Sequence, residues 1–312
     1  MPTQLQSLPI LEMGDFIGGS GGDDRQRARL IGEAARTFGF FYLTGHGVPE
    51  AVTGGAFAAS RAFFALPAAR KMALSITQNR NNRGYVSFGE EGLGDDGAPD
   101  AKEAFNIGVA PGPDGEDVNS WPQLDGFRSA IIAYRDAMQG LSGRVHRLFA
   151  LDLGLRPDFF DSYFTHPLST LRLLRYPPRR AADAADPGAG QHTDYGNVTL
   201  LAQDAIGGLE VRTREGVWIT APPVPDALVC NIGDCLMRWS NDVLVSNPHR
   251  VVSPAGAERF SIAYFADPNA DAEVSCLSGC AGPDNPPRYA PILAGEYLRQ
   301  RFDATYAYRR GS

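Results

Sequence analysis

Residues 191–203 read QHTDYGNVTLLAQ and place two candidate metal ligands, His192 and Asp194, beside a strand-like run. Successive side chains on a β-strand point to opposite faces of a sheet, so residues two apart project on the same side. We therefore predict that His192 and Asp194 open a strand and direct an imidazole and a carboxylate towards one spot. The pair alone is a weak signal, because a histidine and an aspartate two apart often occur by chance.

Two later segments supply the other parts of a predicted site. NPHRV brings His249 to the start of a second strand-like run, and RFSIAYF begins a third run with Arg259 and Ser261 on one face. Two histidines and one carboxylate form a facial triad that leaves positions open on ferrous iron. A nearby guanidinium and hydroxyl would bind the far end of a dicarboxylate, which matches 2-oxoglutarate. The alternatives are a salt bridge between Asp194 and a basic residue, and a surface-exposed His249.

The second half of the chain has the pattern of a β-protein. Beyond Pro157 there are eight short strand-like runs separated by Gly, Pro, Asp and Asn: STLRLLRYPP, NVTLLAQ, GLEVRT, GVWIT, ALVCNIG, DCLMRWS, HRVVS and RFSIAYFADP. Short strands at close spacing predict an antiparallel double sheet or barrel of the jelly-roll kind. The chain has no βαβ alternation, no GxGxxG and no GxxxxGK[ST], so dinucleotide-binding and P-loop classes have no support.

The first half combines predicted helices with an irregular polar segment. Apolar spacing predicts helices over about residues 28–38, 49–66, 67–74, 126–153 and, near the end of the chain, 294–301. From Gln78 to Gly112 the sequence is polar and rich in glycine and asparagine, with strand-like islands at Tyr85–Phe88 and Phe105–Val109. Long irregular segments inside a globular chain are usually functional, so we predict a substrate lid rather than a packing element here.

Length and composition limit the class of protein. The 312 residues are 43% hydrophobic, which suffices for one large domain with a full core. We predict a single domain over residues 1–312. Residues 1–120 would form an N-terminal helix and strand region with the substrate loop, and residues 121–312 the long helix, the jelly-roll core and a C-terminal helix.

Charge and cysteine content indicate the expected surroundings of the protein. The net charge of −7 includes no basic block, which argues against nucleic acid or an anionic membrane as a partner. No apolar run reaches eighteen residues and no signal-peptide pattern opens the sequence, so the expected location is the cytoplasm. The four cysteines lie late in the chain without paired CxxC spacing, so we expect reduced, buried thiols.

Several of these segments resemble one enzyme family. QHTDYG, NPHRVVS and RFSIAYF resemble the core motifs of the iron and 2-oxoglutarate-dependent oxygenases of the isopenicillin N synthase-like family, and GFFYLTGHGV, RGYVSFGEE and LRYPP extend the resemblance over nearly the whole chain. The resemblance implies a double-stranded β-helix, that is, a distorted jelly roll, with helices packed on it. It implies Fe(II) at His192, Asp194 and His249, and 2-oxoglutarate at Arg259, Ser261 and Tyr176.

One departure from the family concerns the strand around Tyr176. Plant relatives usually read Asn-Tyr-Tyr-Pro there, whereas this chain has Leu174, Arg175, Tyr176 and Pro177, so an asparagine contact is absent. Bacterial relatives, including the ethylene-forming enzyme, look more similar, with an arginine-bearing strand and a GYxxxGEE loop.

The activity that the resemblance implies is that of a non-haem iron(II) dioxygenase. It would couple oxidative decarboxylation of 2-oxoglutarate by O2, giving succinate and CO2, to hydroxylation, desaturation or cyclisation of a small molecule, amino-acid-derived or a natural-product intermediate. The alternatives are an oxidase of isopenicillin N synthase type that needs no 2-oxoglutarate, an activity like that of the ethylene-forming enzyme, and a binding module without turnover.

Four residues are predicted to line the substrate pocket: Tyr195, Phe265, Glu91 and Arg172. A carboxylate at Glu91 would suit a cationic or amine-bearing substrate, although a glutamate on a glycine-rich loop is usually solvated. Arg172 alternates with apolar neighbours on its strand, so it would either face the pocket or be solvated or paired.

Overall fold

A computed structural model describes residues 7–14, 21–78, 81–92, 100–109, 115–178, 188–252 and 256–305. The helices in these ranges are α1 (Gly21–Thr37), α2 (Glu50–Phe64), α3 (Ala68–Met72), α4 (Phe127–Asp152), α5 (Asp234–Trp239) and α6 (Ala294–Thr305). The strands are β1 (Ile10–Glu12), β2 (Phe40–Thr44), β3 (Gly84–Val86), β4 (Glu103–Gly108), β5 (Thr170–Tyr176), β6 (Ala189–His192), β7 (Val198–Gln203), β8 (Leu209–Arg212), β9 (Trp218–Ala221), β10 (Leu228–Ile232), β11 (His249–Val251), β12 (Arg259–Ala266), β13 (Glu273–Val274) and β14 (Ile292–Leu293).

Two sheets form the core of the fold. The major sheet has eight strands in the order β1-β2-β10-β7-β12-β5-β4-β3, and the minor sheet has four in the order β6-β11-β8-β9. The pairs β12–β5, β12–β7 and β11–β6 are all antiparallel. The two sheets are antiparallel except for the parallel pair β1–β2, and their inward-facing side chains enclose a cavity, which is the arrangement that the short strands predicted.

Strand β12 shows how the major sheet separates two environments. Ile262 and Tyr264 belong to the core between this sheet and the helices, and α2 and α4 contact the strand there. Arg259, Ser261 and Ala263 alternate with them and face the cavity between the sheets. The helix side is therefore an apolar core, whereas the inter-sheet side can carry a polar site.

Helix α4 confirms the most regular pattern in the sequence. Its predicted apolar stripe is buried, including Phe127, Ile131, Tyr134 and Met138. A stripe that repeats every three or four residues places these side chains on one helix face, which packs against the major sheet together with α1 and α2.

Helix α5 corrects one predicted strand. DCLMRWS was expected to be a strand, but Asp234–Trp239 is helical. Cys235, Leu236 and Trp239 are buried, and their spacing of one and four residues matches one face of a helix. A short apolar run does not distinguish helix from strand by periodicity, so the sequence alone left this ambiguity. The expected burial of Cys235 is correct, although it lies on a helix.

The polar segment from Gln78 to Gly112 is more structured than expected. Its strand-like islands are β3 and β4, which complete one edge of the major sheet, and Phe105 and Ile107 are fully buried. The expectation that this segment does not pack is therefore wrong for these strands. Residues 79–80, 93–99 and 110–112, which were also assigned to the predicted lid, lie outside the described residues.

The other predicted helices are present, although α1 begins at Gly21, seven residues before its predicted start. Helix α6 extends to Thr305, four residues beyond its predicted end. The four cysteines are free thiols, and Cys276 alone among them is half-buried rather than buried. None of the described helices combines the length and apolar character that crossing a bilayer requires.

Candidate metal and co-substrate site

The two histidines of the predicted triad lie on neighbouring strands of the minor sheet. His192 is the last residue of β6 and His249 the first of β11, and the two are directly opposite in the antiparallel register. Their ring centroids are 4.2 Å apart. Nitrogen atoms of both rings and a carboxylate oxygen of Asp194 lie within 4.8 Å of one another. Strand pairing therefore brings together two residues that are distant in sequence.

Asp194 reaches this position from a turn rather than from a strand. Strand β6 ends at His192 and β7 begins at Val198, so the expectation that His192 and Asp194 open one strand is wrong. The backbone N–H of Asp234 donates to the carbonyl oxygen of Asp194 at 2.7 Å, which ties the turn to α5. A β-carbon at Gly233 would lie 2.3 Å from the carbonyl oxygen of Gly196, so this close approach requires glycine.

The carboxylate of Asp194 is oriented by two hydrogen bonds to one of its oxygens. Oδ2 accepts from Thr199 Oγ1 at 2.6 Å and from Asn231 Nδ2 at 2.7 Å. Oδ1 lies 3.6 Å from His249 Nε2 and 4.0 Å from His192 Nε2. One oxygen is thus held by the protein and the other faces the two imidazoles, as in metal sites with an ordered outer shell.

The protonation states also suit a metal. Nδ1 of His192 lies 2.7 Å from the carbonyl oxygen of Gly190, and when Nδ1–H donates there, Nε2 keeps its lone pair for an ion. Burial, followed by the charge of His249, lowers the pKa of His192 to about 3, so the ring is neutral at pH 7. Burial opposes ionisation of Asp194, but His249, His192 and the two hydrogen bonds lower its pKa overall.

The donor set fits ferrous iron. An ion held by two imidazoles and one carboxylate would keep coordination positions free for a co-substrate. Within the described ranges this is the one group of three His, Cys, Asp or Glu side chains close enough to share an ion.

A cavity of about 580 Å³ connects this cluster to the predicted co-substrate anchor. His192 and His249 line it from the minor sheet and Asp194 from the turn after β6, whereas Tyr176, Arg259 and Ser261 line it from the major sheet. Tyr176 and Arg259 are directly opposite each other on β5 and β12. The guanidinium carbon of Arg259 lies 4.7 Å from the centre of the Tyr176 ring.

Arg259 is the strongest indication of an anionic ligand. Its side chain is 0% exposed, and its hydrogen-bond partners among the described residues are uncharged side chains. Nη1 donates to Ser261 Oγ at 3.1 Å, while Nε has no hydrogen-bond partner among the described residues. A buried charge without a counter-charge is costly, so a bound carboxylate would stabilise this arrangement.

A second cavity of about 620 Å³ shares His192 and Asp194 with the first. All four predicted substrate-pocket residues, namely Glu91, Arg172, Tyr195 and Phe265, line it. Sequence reasoning missed other lining residues, among them Asn82, Asn106, Thr170, Asp267, Leu298, Phe302 and Thr305. Leu298, Phe302 and Thr305 belong to α6. No sequence pattern indicates that this helix packs beside His192 and Asp194, which lie more than a hundred positions earlier.

Glu91 lies in a buried cluster of charges rather than in solvent. It is 4% exposed, so the expectation of a solvated carboxylate is wrong. Its Oε2 lies 2.5 Å from Arg172 Nη2 and 3.3 Å from Lys102 Nζ, and Lys102 also pairs with Asp100. Arg172 is therefore both paired and at the cavity. Two cations already balance the charge of Glu91.

The outer-shell residues Thr199 and Asn231 were also missed, although the sequence contains a signal for one of them. Asn231 interrupts the apolar run ALVCNIG, and a polar residue within a buried strand needs a hydrogen-bond partner. Thr199 gives no such signal, because threonine is common in strands.

Comparison with known proteins agrees with this geometry. A family model described as "non-haem dioxygenase in morphine synthesis N-terminal" matches residues 8–124, and the 2OG-Fe(II) oxygenase superfamily model matches residues 167–268. A 2-oxoglutarate-Fe(II) type oxidoreductase of Emericella nidulans is 34% identical, over 96% of this chain and 90% of its own length. A homoarginine-6-hydroxylase of rice (Oryza sativa subsp. japonica) is 32% identical, over 96% and 98%.

A solved structure gives the same result. A full-length protein of Neurospora crassa, crystallised with 2-oxoglutarate and thymine, superposes with a TM-score of 0.88 at 33% identity, covering 97% of this chain and 98% of that one. The predicted double-stranded β-helix is confirmed. The chain belongs to the 2OG-Fe(II) oxygenase superfamily and is a non-haem iron(II) dioxygenase that couples the decarboxylation of 2-oxoglutarate to the oxidation of a small molecule.

Proposed function

We propose that His192, Asp194 and His249 bind Fe(II), and that Arg259 and Ser261 bind the distal carboxylate of 2-oxoglutarate beside Tyr176. The observation that carries this proposal is the buried guanidinium of Arg259, which faces the triad across one cavity without a counter-charge among the described residues. Its forked N–H groups suit bidentate binding of a carboxylate. When bound, iron, 2-oxoglutarate and O2 supply the oxidation, and succinate and CO2 are formed.

The protein's own contribution is position and exclusion of water. Thr199 and Asn231 hold one oxygen of Asp194, so its other oxygen keeps a fixed direction. The apolar side chains of Leu174, Leu201 and Val251 line the co-substrate cavity and keep water from the anchor.

The triad is tested by His249→Ala and Asp194→Ala. Each variant should lose iron-dependent succinate formation, because two ligands hold Fe(II) more weakly than three. Both should keep the wild-type circular dichroism spectrum, since these residues line a cavity rather than fill the core. Activity retained in both variants would refute the assignment. Arg259→Ala should chiefly raise the concentration of 2-oxoglutarate that is required.

The substrate, we propose, is a small uncharged molecule with hydrogen-bond donors, an amino-acid derivative or another natural-product intermediate. Asn106 Oδ1 is a buried acceptor at the substrate cavity with no partner among the described residues. Arg172 and Lys102 balance Glu91. Burial, followed by Asp194, raises the pKa of Asp267 well above its usual range, which favours its neutral acid form. A charged substrate would therefore be desolvated without a counter-charge.

The relatives provide two opposite test compounds for this substrate class. Thymine, named with the Neurospora structure, is uncharged, whereas homoarginine, named for the rice relative, carries a guanidinium. Succinate formation should be measured with each compound and with neutral amides and heterocycles of similar size. Stimulation by uncharged compounds alone supports the proposal, and stimulation by homoarginine alone would overturn it.

Two controls separate the alternative reactions. Substrate oxidation without 2-oxoglutarate would indicate an oxidase of isopenicillin N synthase type instead. Gas chromatography of the headspace would detect ethylene and so test for an activity like that of the ethylene-forming enzyme. That this chain is particularly similar to the bacterial ethylene-forming enzyme stays a prediction.

A further inference from the structure

Gln203, the last residue of β7, contacts the proposed co-substrate anchor. Its Oε1 accepts a hydrogen bond from Arg259 Nη2 at 3.1 Å. In the antiparallel register Gln203 is directly opposite Ser261, whose Oγ accepts from the other terminal nitrogen of the same guanidinium. Arg259 is thus held from two sides by neutral oxygens.

The backbone around Gln203 is fixed. The neighbouring Asp204 accepts the N–H of Phe260 on Oδ2 at 2.6 Å, and its own N–H donates to the carbonyl oxygen of Phe260 at 3.2 Å. These two bonds lock the end of β7 to the start of β12. The amide of Gln203 therefore reaches Arg259 from a well-determined position.

Three other arginines of the described structure, unlike Arg259, form ion pairs with carboxylates. Arg36 pairs with Asp152, Arg172 with Glu91, and Arg175 with Glu103, all at short distances of 2.5–2.6 Å. Arg259 is more deeply buried than these three, yet its contacts are an amide, a hydroxyl and the face of an aromatic ring. A carboxylate in place of the amide would neutralise the guanidinium before any ligand arrived.

We propose that Gln203 is a positioning residue for the co-substrate: its amide oxygen orients Arg259 while leaving the positive charge available for the distal carboxylate of 2-oxoglutarate. This inference rests on the proposed role of Arg259 as the anchor. Selectivity for a dicarboxylate would then depend on two properties of residue 203, namely its hydrogen bond to Arg259 and its lack of charge.

The test compares two ligands on the metal-loaded protein. Mn(II) replaces Fe(II) so that no turnover occurs, and calorimetry gives the Kd of 2-oxoglutarate and of 2-oxopentanoate, which lacks the distal carboxylate. The ratio of the two Kd values measures the anchor alone, because general damage to the site weakens both ligands. The variants are Gln203→Glu, Gln203→Met and Arg259→Met, and Gln139→Glu on an exposed position of α4 is the isosteric control.

Gln203→Glu should raise the Kd of 2-oxoglutarate at least tenfold and leave the Kd of 2-oxopentanoate unchanged, because the new carboxylate competes with 2-oxoglutarate for Arg259. Gln203→Met, which removes the acceptor without adding charge, should cause a smaller loss of roughly two- to fivefold, and Gln139→Glu none. This inference is wrong, and Arg259 remains the anchor, if Arg259→Met abolishes the preference for 2-oxoglutarate over 2-oxopentanoate while Gln203→Glu keeps that preference. It is also wrong if Gln203→Glu weakens the binding of both ligands by the same factor. If Arg259→Met keeps the wild-type ratio of the two Kd values, Arg259 is not the anchor and the proposed co-substrate site is wrong.

Discussion

His146 is a histidine that the metal site does not use. It lies on the buried face of α4. Its Nδ1 is 2.7 Å from the carbonyl oxygen of Ser142, and its Nε2 is 3.3 Å from Asn197 Nδ2. The ring also packs against Phe160 and Phe164. Burial lowers its pKa to about 4, so it stays neutral in the folded protein at pH values where an exposed histidine is charged.

This depressed pKa predicts a specific dependence of stability on pH. Between about pH 6.5 and 4 the unfolded chain binds a proton at residue 146 and the folded chain does not, so stability is fully present above pH 6.5 and falls as pH decreases. The contribution is at most roughly 3 kcal/mol. His146→Gln cannot ionise and should flatten the pH dependence of the urea midpoint in this range. His166→Gln, at an exposed position, should leave it unchanged. An unaltered slope in His146→Gln would contradict the assignment.

Thr199 gives a second prediction at the residue scale. Its hydroxyl donates to Asp194 Oδ2 at 2.6 Å, and valine has nearly the same shape without that donor. Thr199→Val should lower the affinity for Fe(II) or Mn(II) roughly 10- to 100-fold, which is the usual effect of losing an outer-shell hydrogen bond. Competition with a chelator under anaerobic conditions measures this affinity. Thr220→Val, on the exposed side of β9, is the matched control, and equal metal affinity in both variants would count against the role of Thr199.

At the scale of elements, a buried charge cluster joins β4 and its preceding segment to the metal strand β6. Lys102 pairs with Glu91 and Asp100, and the other oxygen of Asp100 accepts the N–H of Gly190 at 2.9 Å. The carbonyl oxygen of Gly190 is in turn 2.7 Å from Nδ1 of His192. The segment that contributes Glu91 to the substrate cavity is thus connected to a metal ligand through three residues.

Lys102→Met should destabilise the protein by about 3–5 kcal/mol, because it leaves the buried carboxylate of Asp100 without its cation. The double variant Lys102→Met, Asp100→Asn removes the orphaned charge as well and should recover part of that loss. Urea unfolding of the three proteins measures both effects. A double variant no more stable than the single one would show that the pair does not act as a unit.

The elements also show how far the sequence could predict this molecule. Helix α4 was predictable because its apolar stripe repeats over 26 residues, and strands β7, β11 and β12 because their short runs are rich in apolar and β-branched residues and are bounded by Asn, Asp or Pro. The helical state of α5 was not, because six residues are too few to separate the two periods. The turn that carries Asp194 depends on a bond to α5, and the contribution of α6 to the substrate cavity depends on tertiary packing. Neither leaves a local pattern.

At the scale of the whole molecule, the two parts of the chain share one core. Strands β1–β4, from residues 1–120, lie in the same major sheet as β5, β7, β10 and β12. Phe63 and Phe105 belong to the same buried cluster as Tyr134 and Ile262. Residues of this shared sheet line both cavities, among them Arg172 and Phe265. We therefore propose that residues 1–312 form a single domain in which the site and the helices are energetically connected.

A single domain predicts one cooperative unfolding transition that moves as a unit when ligands bind. Circular dichroism, tryptophan fluorescence and calorimetry should give the same midpoint, because all probes follow one two-state transition. The fluorescent reporters are spread over the fold, with Trp121 against the helix core, Trp218 on β9 and Trp239 on α5. Mn(II) and 2-oxoglutarate, each at a hundred times its Kd, should raise stability by about 2.7 kcal/mol per independent ligand and shift the whole transition. Asp194→Ala should keep the single transition and lose the response to Mn(II). Two separate transitions, of which only one moves with ligand, would mean that residues 1–120 fold independently of the metal site.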